Sequence, residues 1–236
     1  MTGTDGWLAD GVLDTPTTDD DVIDDDDVIV LPWWQNPLNI IAMVIAVLVL
    51  AGGAGFVLGE RSAIDDPNDV DVGFLQDMRG HHEQAVEMAL LYVGKGGGTD
   101  RTEQSSLLRT IGKEIAFDQG VEIGRMIQLL RTFGEPEANQ TETAMGWMNQ
   151  PVPYQQMPGL ASDADMDRLA QASGPDADML FATLMIAHHE GGITMATHAA
   201  EHAETDEVRA FAKGIIAAQK SDLVELRRIV KQLEAA

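Results

Sequence analysis

Apolar and polar positions change rhythm twice along this chain, and each change marks a different kind of segment. Ile40 to Leu58 is an uncharged apolar run of nineteen residues. Coiled as a helix it would be roughly 28 Å long, close to the thickness of a bilayer core. Trp33 and Trp34 precede it and Glu60-Arg61 follow it, as residues at the two membrane interfaces do. A single transmembrane helix over residues 38–59 is predicted. From about Asp71 the apolar positions recur at i, i+3, i+4 and i+7, the helical spacing. Phe74–Val93 keeps it until Gly94-Lys95-Gly96-Gly97-Gly98, and Asp100–Phe133 keeps it until Gly134 and Pro136. Residues 135 to about 160 hold four of the nine prolines and read as a long crossover with short helical turns. Residues 163–172 form a short helix in this reading. Pro175 opens a third long helix, Asp176–Glu204, and Thr205 or Asp206 caps a fourth that runs to about Leu233. No segment alternates with period two for long enough to build a sheet.

The helices repeat. Met78-Arg79-Gly80-His81-His82-Glu83 leads to Met88-Ala89, and Met185-Ile186-Ala187-His188-His189-Glu190 leads to Met195-Ala196. Both read M-x-x-H-H-E-x-x-x-x-M-A. The helices that follow also match, with Ile115, Gln119, Glu122, Ile123 and Met126 against Ile215, Gln219, Asp222, Leu223 and Leu226. The repeating unit is a helical hairpin, and two hairpins bury their apolar faces as a four-helix bundle. The predicted organisation is an acidic tail (1–36), the transmembrane helix (38–59), a linker (60–72) and an all-α bundle domain (73–235). Within the bundle, hairpins 73–134 and 175–235 flank the crossover 135–174.

Charge and composition narrow the function classes. The formal net charge is −24, which repels nucleic acid. Residues 1–36 carry ten aspartates and no Lys, Arg or Glu, and such a segment stays solvated and disordered. Cysteine is absent, which removes disulfides, zinc–thiolate sites, iron–sulfur clusters and cysteine nucleophiles. A soft metal must then be held by methionine or histidine. There is no phosphate loop and no Ser-His-Asp pattern. The first basic residue is Arg61, so the positive-inside rule alone would place the large domain in the cytoplasm. Gly55 and Gly59 make a GxxxG pair through which the span could form a homo-oligomer.

All six histidines, at 81, 82, 188, 189, 198 and 202, lie on the two repeated helices. At about 100° per residue, Met78, His81 and Met88 share one stripe, and Met185, His188, Met195, His198 and His202 share a longer one, with His202 read more as a surface residue than a ligand. His82 and His189 point about 100° from their neighbours, so that one of each pair would face the interior and the other the bundle edge. Imidazole with thioether suits copper, Cu(I) above all and Cu(II) through the nitrogens. A di-iron or dimanganese site would want Glu-x-x-His, whereas Met78, Met185 and Met195 stand three residues before His81, His188 and His198. Glu114, Asp118, Glu122, Asp222 and Glu225 could supply oxygen ligands to iron or manganese. Glu83 and Glu190 either orient an imidazole or are solvated. Met126, Met166 and Met179 read as core filler. Met145-Gly146-Trp147-Met148 and Met157-Pro158-Gly159-Leu160 in the crossover could hand over a metal or plug the bundle with Trp147 as anchor.

Phe74-Leu75, Met78, His81-His82, Ala85 and Met88-Ala89, the Met-Pro-Gly element at 157–159, and Met185-Ile186, His188-His189 and Met195-Ala196 resemble the domain of unknown function 305 family over about residues 70–233. The resemblance implies a ferritin-like four-helix fold, exported or membrane-anchored in bacteria, with some members linked to copper binding and copper tolerance. Carried over by position, the matching residues are Met78, His81, His82, Met88, Met185, His188, His189 and Met195. The chain departs from the pattern at Leu160, where methionine often follows the glycine, and at Gly191-Gly192, where alanine would be expected. The resemblance and the lack of cysteine place the bundle outside the cytoplasm, against the charge rule. The leading expectation is a single-pass, non-enzymatic copper-binding protein. The alternatives are a ferritin-like di-metal oxidase and a structural or signalling bundle without metal.

Overall fold

The structure, a computed structural model, describes residues 32–61, 66–94 and 102–235. The acidic-tail expectation falls mostly outside the described residues. Two compact units divide at residue 59. The first contains helix α1 (Pro37–Arg61), whose stretch Pro37–Phe56 has a mean hydropathy of 2.3 and is long and apolar enough to cross a bilayer. Trp33 and Trp34 stand exposed in the turn ahead of it.

The second unit is all-α but for one two-residue ladder. Its helices are α2 (Asp69–Gly94), α3 (Glu103–Phe133), the short α4 (Asp163–Gln171), α5 (Gly174–His202) and α6 (Asp206–Glu234). Hairpins α2–α3 and α5–α6 pack into the four-helix bundle that the repeated pattern predicts, and α2 lies against α5 at its centre. Helix α2 begins four residues before the expected boundary at 73, because its start is set by a polar cap rather than by apolar periodicity. The Asn68 side-chain oxygen accepts from the N–H groups of Val70 and Asp71, at 2.9 and 3.0 Å. Thr102 caps α3 by accepting from Ser105 N, and Gly134 ends it at φ 77°.

Helix α5 stops two residues before the expected Glu204, and the cause comes from the other hairpin. Buried Asp71 accepts from Glu204 N (2.8 Å), Thr205 N (3.1 Å) and the Thr205 hydroxyl (2.6 Å). Thr205 in turn accepts from Val208 N and so caps α6. The second copy does the same in reverse. Buried Asp178 accepts from the Tyr92 hydroxyl and from the Ser105 hydroxyl in the first turn of α3. Each repeat thus presents an aspartate near the start of its first helix to a hydroxyl at the start of the other repeat's second helix. The two hairpins are latched crosswise at both ends of the bundle.

The crossover pairs Thr143–Ala144 with Val152–Pro153 and adds 3₁₀ turns at Gly146–Met148 and Tyr154–Gln156. Asp77 of α2 anchors it by accepting from Met145 N, the Trp147 indole N–H and the Asn139 amide, at 2.7–2.8 Å. Trp147 sets its ring edgewise on Phe74, and Met145, Met148 and Met157 are buried. Of the two roles open to this Met-rich segment, the packing is that of a plug.

The core has two halves. Phe74, Met78, Met126, Met195 and Phe211 belong to one, and Met88, Tyr92, Ile115, Phe181 and Met185 to the other. Met78 shares a half with Met195, and Met88 shares the other with Met185. Helices α2 and α5 therefore pass each other in opposite directions, crossing at the histidines.

Candidate metal centre

His81, His82, His188 and His189 are all fully buried. Adjacent histidines on a helix diverge by about 100°, and a bundle of hairpins gives each direction its own buried surroundings. His81 and His188 meet across the α2–α5 crossing, ring centroids 3.8 Å apart with planes inclined at 39°. His82 and His189 turn instead toward the second helix of their own hairpin. His82 Nε2 lies 2.8 Å from a Glu122 carboxylate oxygen on α3, and His189 Nε2 lies 3.0 Å from an Asp222 oxygen on α6. Neither member of a pair faces an open edge, contrary to the expectation from the helical wheel. The edge positions are covered by the hairpin partner.

The inner pair is held by backbone oxygens. His81 Nε2 donates to the Pro158 carbonyl at 3.0 Å, and His188 Nε2 donates to the His81 carbonyl at 2.9 Å. All four acceptors are carbonyl or carboxylate oxygens, so the proton of each neutral ring sits on Nε2 and the lone pair on Nδ1. All four Nδ1 atoms are buried without a hydrogen-bond partner. Gln119 Oε1 and both amide atoms of Gln219 are in the same condition, one helical turn before Glu122 and Asp222. An unpartnered buried polar atom costs about 1–3 kcal/mol, and with Arg79 Nε eight are gathered on the repeated segments. An imidazole whose far nitrogen donates to a carboxylate or carbonyl while the near one offers a bare lone pair is in the arrangement metal-ligating histidines adopt. Each ring thus carries an unpartnered nitrogen of the kind a metal ligand offers. Burial is the main cause that pushes His81 down to about 3, with His82 beside it as the next. His188 is held well below its usual value by burial and then by His81. Protons do not compete for the lone pairs of His81 and His188 near neutrality.

Met78, Met88, Met185 and Met195 are fully buried, one turn before or two turns after His81 and His188 on the same helices. Among the described residues no three His, Asp or Glu side chains are grouped as a ready ligand set. His198 is placed elsewhere. It lies about 15 Å along α5 from His188 by the helical rise, half-buried beside Trp147 and His202. Glu83 and Glu190 orient no imidazole; they pair at the surface with Arg79 and Arg227, each at 2.6 Å. Met126 is core, while Met166 and Met179 are half-buried.

The Pro158 carbonyl is a contributor that side-chain patterns do not reveal, and Gly191 is its trace, while Gly192 makes room for Gln219 of α6. A Cβ at Gly191 would lie 1.9 Å from Pro158 O, and one at Gly192 would lie 2.6 Å from Gln219 Oε1. Gly159 has φ 84° and touches the backbone of Ala187 and His188. The departure from alanine at 191–192 marks close contact, with the crossover pressed onto α5. Gly191→Ala is expected to lift the Met157–Leu160 segment and cost about 1–3 kcal/mol, read as a lower urea midpoint. An unchanged midpoint would mean that the segment is not seated there.

These features define a class: an all-α bundle of two duplicated hairpins with a buried histidine layer flanked by methionines. The chain belongs to the family described as domain of unknown function DUF305, whose pattern matches residues 71–230. Among solved structures, a DUF305 protein from Streptomyces coelicolor is similar at 30% identity and TM-score 0.61, over 70% of this chain and 94% of that one. A DUF305 fragment from Deinococcus radiodurans is similar at 21% identity and TM-score 0.58, over 71% and 99%. CopM in its Cu(I)-bound form is similar at 25% identity and TM-score 0.49, over 69% and 96%. No curated protein matches the chain.

Proposed function

We propose that this protein binds copper through the buried histidine layer and that α1 holds it in a membrane with the bundle outside the cytoplasm. The observation that carries the reading is the set of four buried Nδ1 lone pairs, each ring fixed from behind by an oxygen acceptor. His81, His82, His188 and His189 would supply nitrogen to copper, and Met78, Met88, Met185 and Met195 would supply polarisable sulfur. Thioether with neutral imidazole favours Cu(I) over hard cations, and no thiol is exposed to oxidation. Glu122 and Asp222 act as hydrogen-bond acceptors for His82 and His189, which counts against their service as the oxygen ligands of a di-iron or dimanganese oxidase. The role is that of a copper-handling or tolerance protein, with copper as cargo.

The test is a Cu(I) titration of the full chain in detergent, in competition with a Cu(I) chelator under reducing conditions. His81→Ala/His188→Ala is expected to weaken binding by about a hundredfold or more. Glu122→Gln/Asp222→Asn, which frees the outer pair, should weaken it by about ten- to a hundredfold. If the histidine variant keeps its helical circular dichroism and binds Cu(I) as the parent does, the layer is a packing device and the copper reading fails.

A further inference from the structure

A second pair of imidazoles stands outside the buried layer. His198 and His202 lie in the last two turns of α5, one helical turn apart, with ring centroids 4.1 Å apart and planes within 14° of parallel. Position i and i+4 on a helix is the spacing that lets two side chains reach one ion. His202 Nδ1 donates to the His198 carbonyl at 2.9 Å, which leaves Nε2 as the lone-pair nitrogen. His202 is exposed and His198 half-buried, so a small rotation can separate the stacked rings around an ion.

Two further observations favour a cation here. The pair sits at the C-terminal end of a helix of 29 residues, where the carbonyl ends of the backbone dipoles gather negative potential. Neither histidine belongs to the repeated pattern. The corresponding positions of the first repeat are Leu91 and Lys95, so the pair was not carried in with the duplicated motif. Trp147 from the crossover lies against His198, ring centroids 5.6 Å apart, and narrows the approach to that imidazole from one side.

We infer that His198 and His202 form a separate, solvent-open chelate for a divalent borderline cation, Cu(II) or Zn(II), at the end of α5. It differs in kind from the buried layer. No thioether is exposed beside it, the ligands are two imidazole nitrogens, and water completes the coordination sphere, a set that suits divalent copper and zinc better than Cu(I). The inference stands whether or not the buried layer binds copper.

Trp147 supplies the readout, since Cu(II) bound to the neighbouring imidazole quenches indole fluorescence. The chain has four tryptophans, and with Trp7, Trp33 and Trp34 changed to phenylalanine only Trp147 reports. The full chain in detergent would be titrated with Cu(II) under oxidising conditions, then with Zn(II) to displace it. The expected result is a saturable quench that a large excess of Zn(II), the weaker binder at imidazole nitrogen, reverses and that His81→Ala/His188→Ala preserves. His198→Ala/His202→Ala, or His202→Ala alone at its exposed position, should shift the quench to about tenfold higher Cu(II) or more. Quenching at unchanged Cu(II) in both His198/His202 variants overturns the inference. So does a quench that disappears only with His81 and His188, since the reporting ion would then sit in the buried layer. The Cu(I) competition assay reads the buried layer independently.

Discussion

Lowering the pH from 7 to 4.5 is expected to destabilise the metal-free bundle steeply, and His81→Gln/His188→Gln is expected to remove most of that sensitivity. In the unfolded chain each histidine takes up a proton near its ordinary value of 6.5. In the fold, burial keeps His81 neutral down to about 3 and His188 neutral well below its ordinary value. The unfolded state therefore binds more protons in this window, and stability rises with pH. The contribution is fully present above pH 6.5 and is lost as pH falls from 6.5 toward 3. Once pH is a unit below 6.5, His81 costs about 1.4 kcal/mol per further pH unit, or about 3 kcal/mol by pH 4.5, and His188 adds to the loss in the same direction. Urea midpoints at pH 7, 5.5 and 4.5, in the presence of a metal chelator, measure this. Parallel pH profiles for the parent and the glutamine variant would show that the two rings are not buried as neutral bases.

The same burial that makes the layer acid-labile makes it a ready ligand set. A neutral imidazole pays no deprotonation cost on meeting a metal, so copper affinity through His81 and His188 should change little between pH 7 and 5.5. Metal binding would then add about the same stability at pH 5.5 as at pH 7, because an ion that binds only the folded state shifts the equilibrium by an amount set by its concentration and affinity.

Duplication is what made the layer legible from residues alone. His81-His82 and His188-His189 stand out because the same pattern occurs twice at helical spacing, and the match of the following helices pointed to Glu122 and Asp222. The direction of each ring was not legible. A helical wheel sends one histidine of each pair toward the edge without saying which, and only the packing of a hairpin partner turns that edge into buried surroundings for His82 and His189. The Pro158 carbonyl left no side-chain signal, because a backbone atom in an aperiodic crossover has none. Its trace was indirect, in Gly191. His198 read as part of the same stripe because a wheel records angle and not distance along the axis. The helix start at Asn68 was placed a few residues late for a related reason: caps are polar, and apolar periodicity begins after them.

The crosswise latch was present in the sequence in the same form, as Asp71 against Asp178 and Ser105 against Thr205, each at the spacing of its own repeat. Polar residues at helix starts are common, and nothing in one chain says that an aspartate on one helix reaches a hydroxyl on another repeat. The structure makes that link, and its energetic weight should be large. Asp71 is fully buried and accepts from two backbone N–H groups and one hydroxyl of the α5–α6 turn, and from Asn68 N. Asp71→Ala leaves those donors without an acceptor and loosens the cap of α6, at a cost of about 3–5 kcal/mol. Thr205→Ala alone should cost about 1–2 kcal/mol as a lost cap. Because the two side chains share one hydrogen bond, their effects should not add. The double variant is expected to be less destabilised than the sum by about 1 kcal/mol or more. Urea denaturation of the four members of this cycle measures the coupling, and strict additivity would mean that Asp71 acts on the turn without Thr205. A loss confined to the α5–α6 end, seen as faster amide exchange there with the α3 start protected, would show that the Asp178 latch holds the other end on its own.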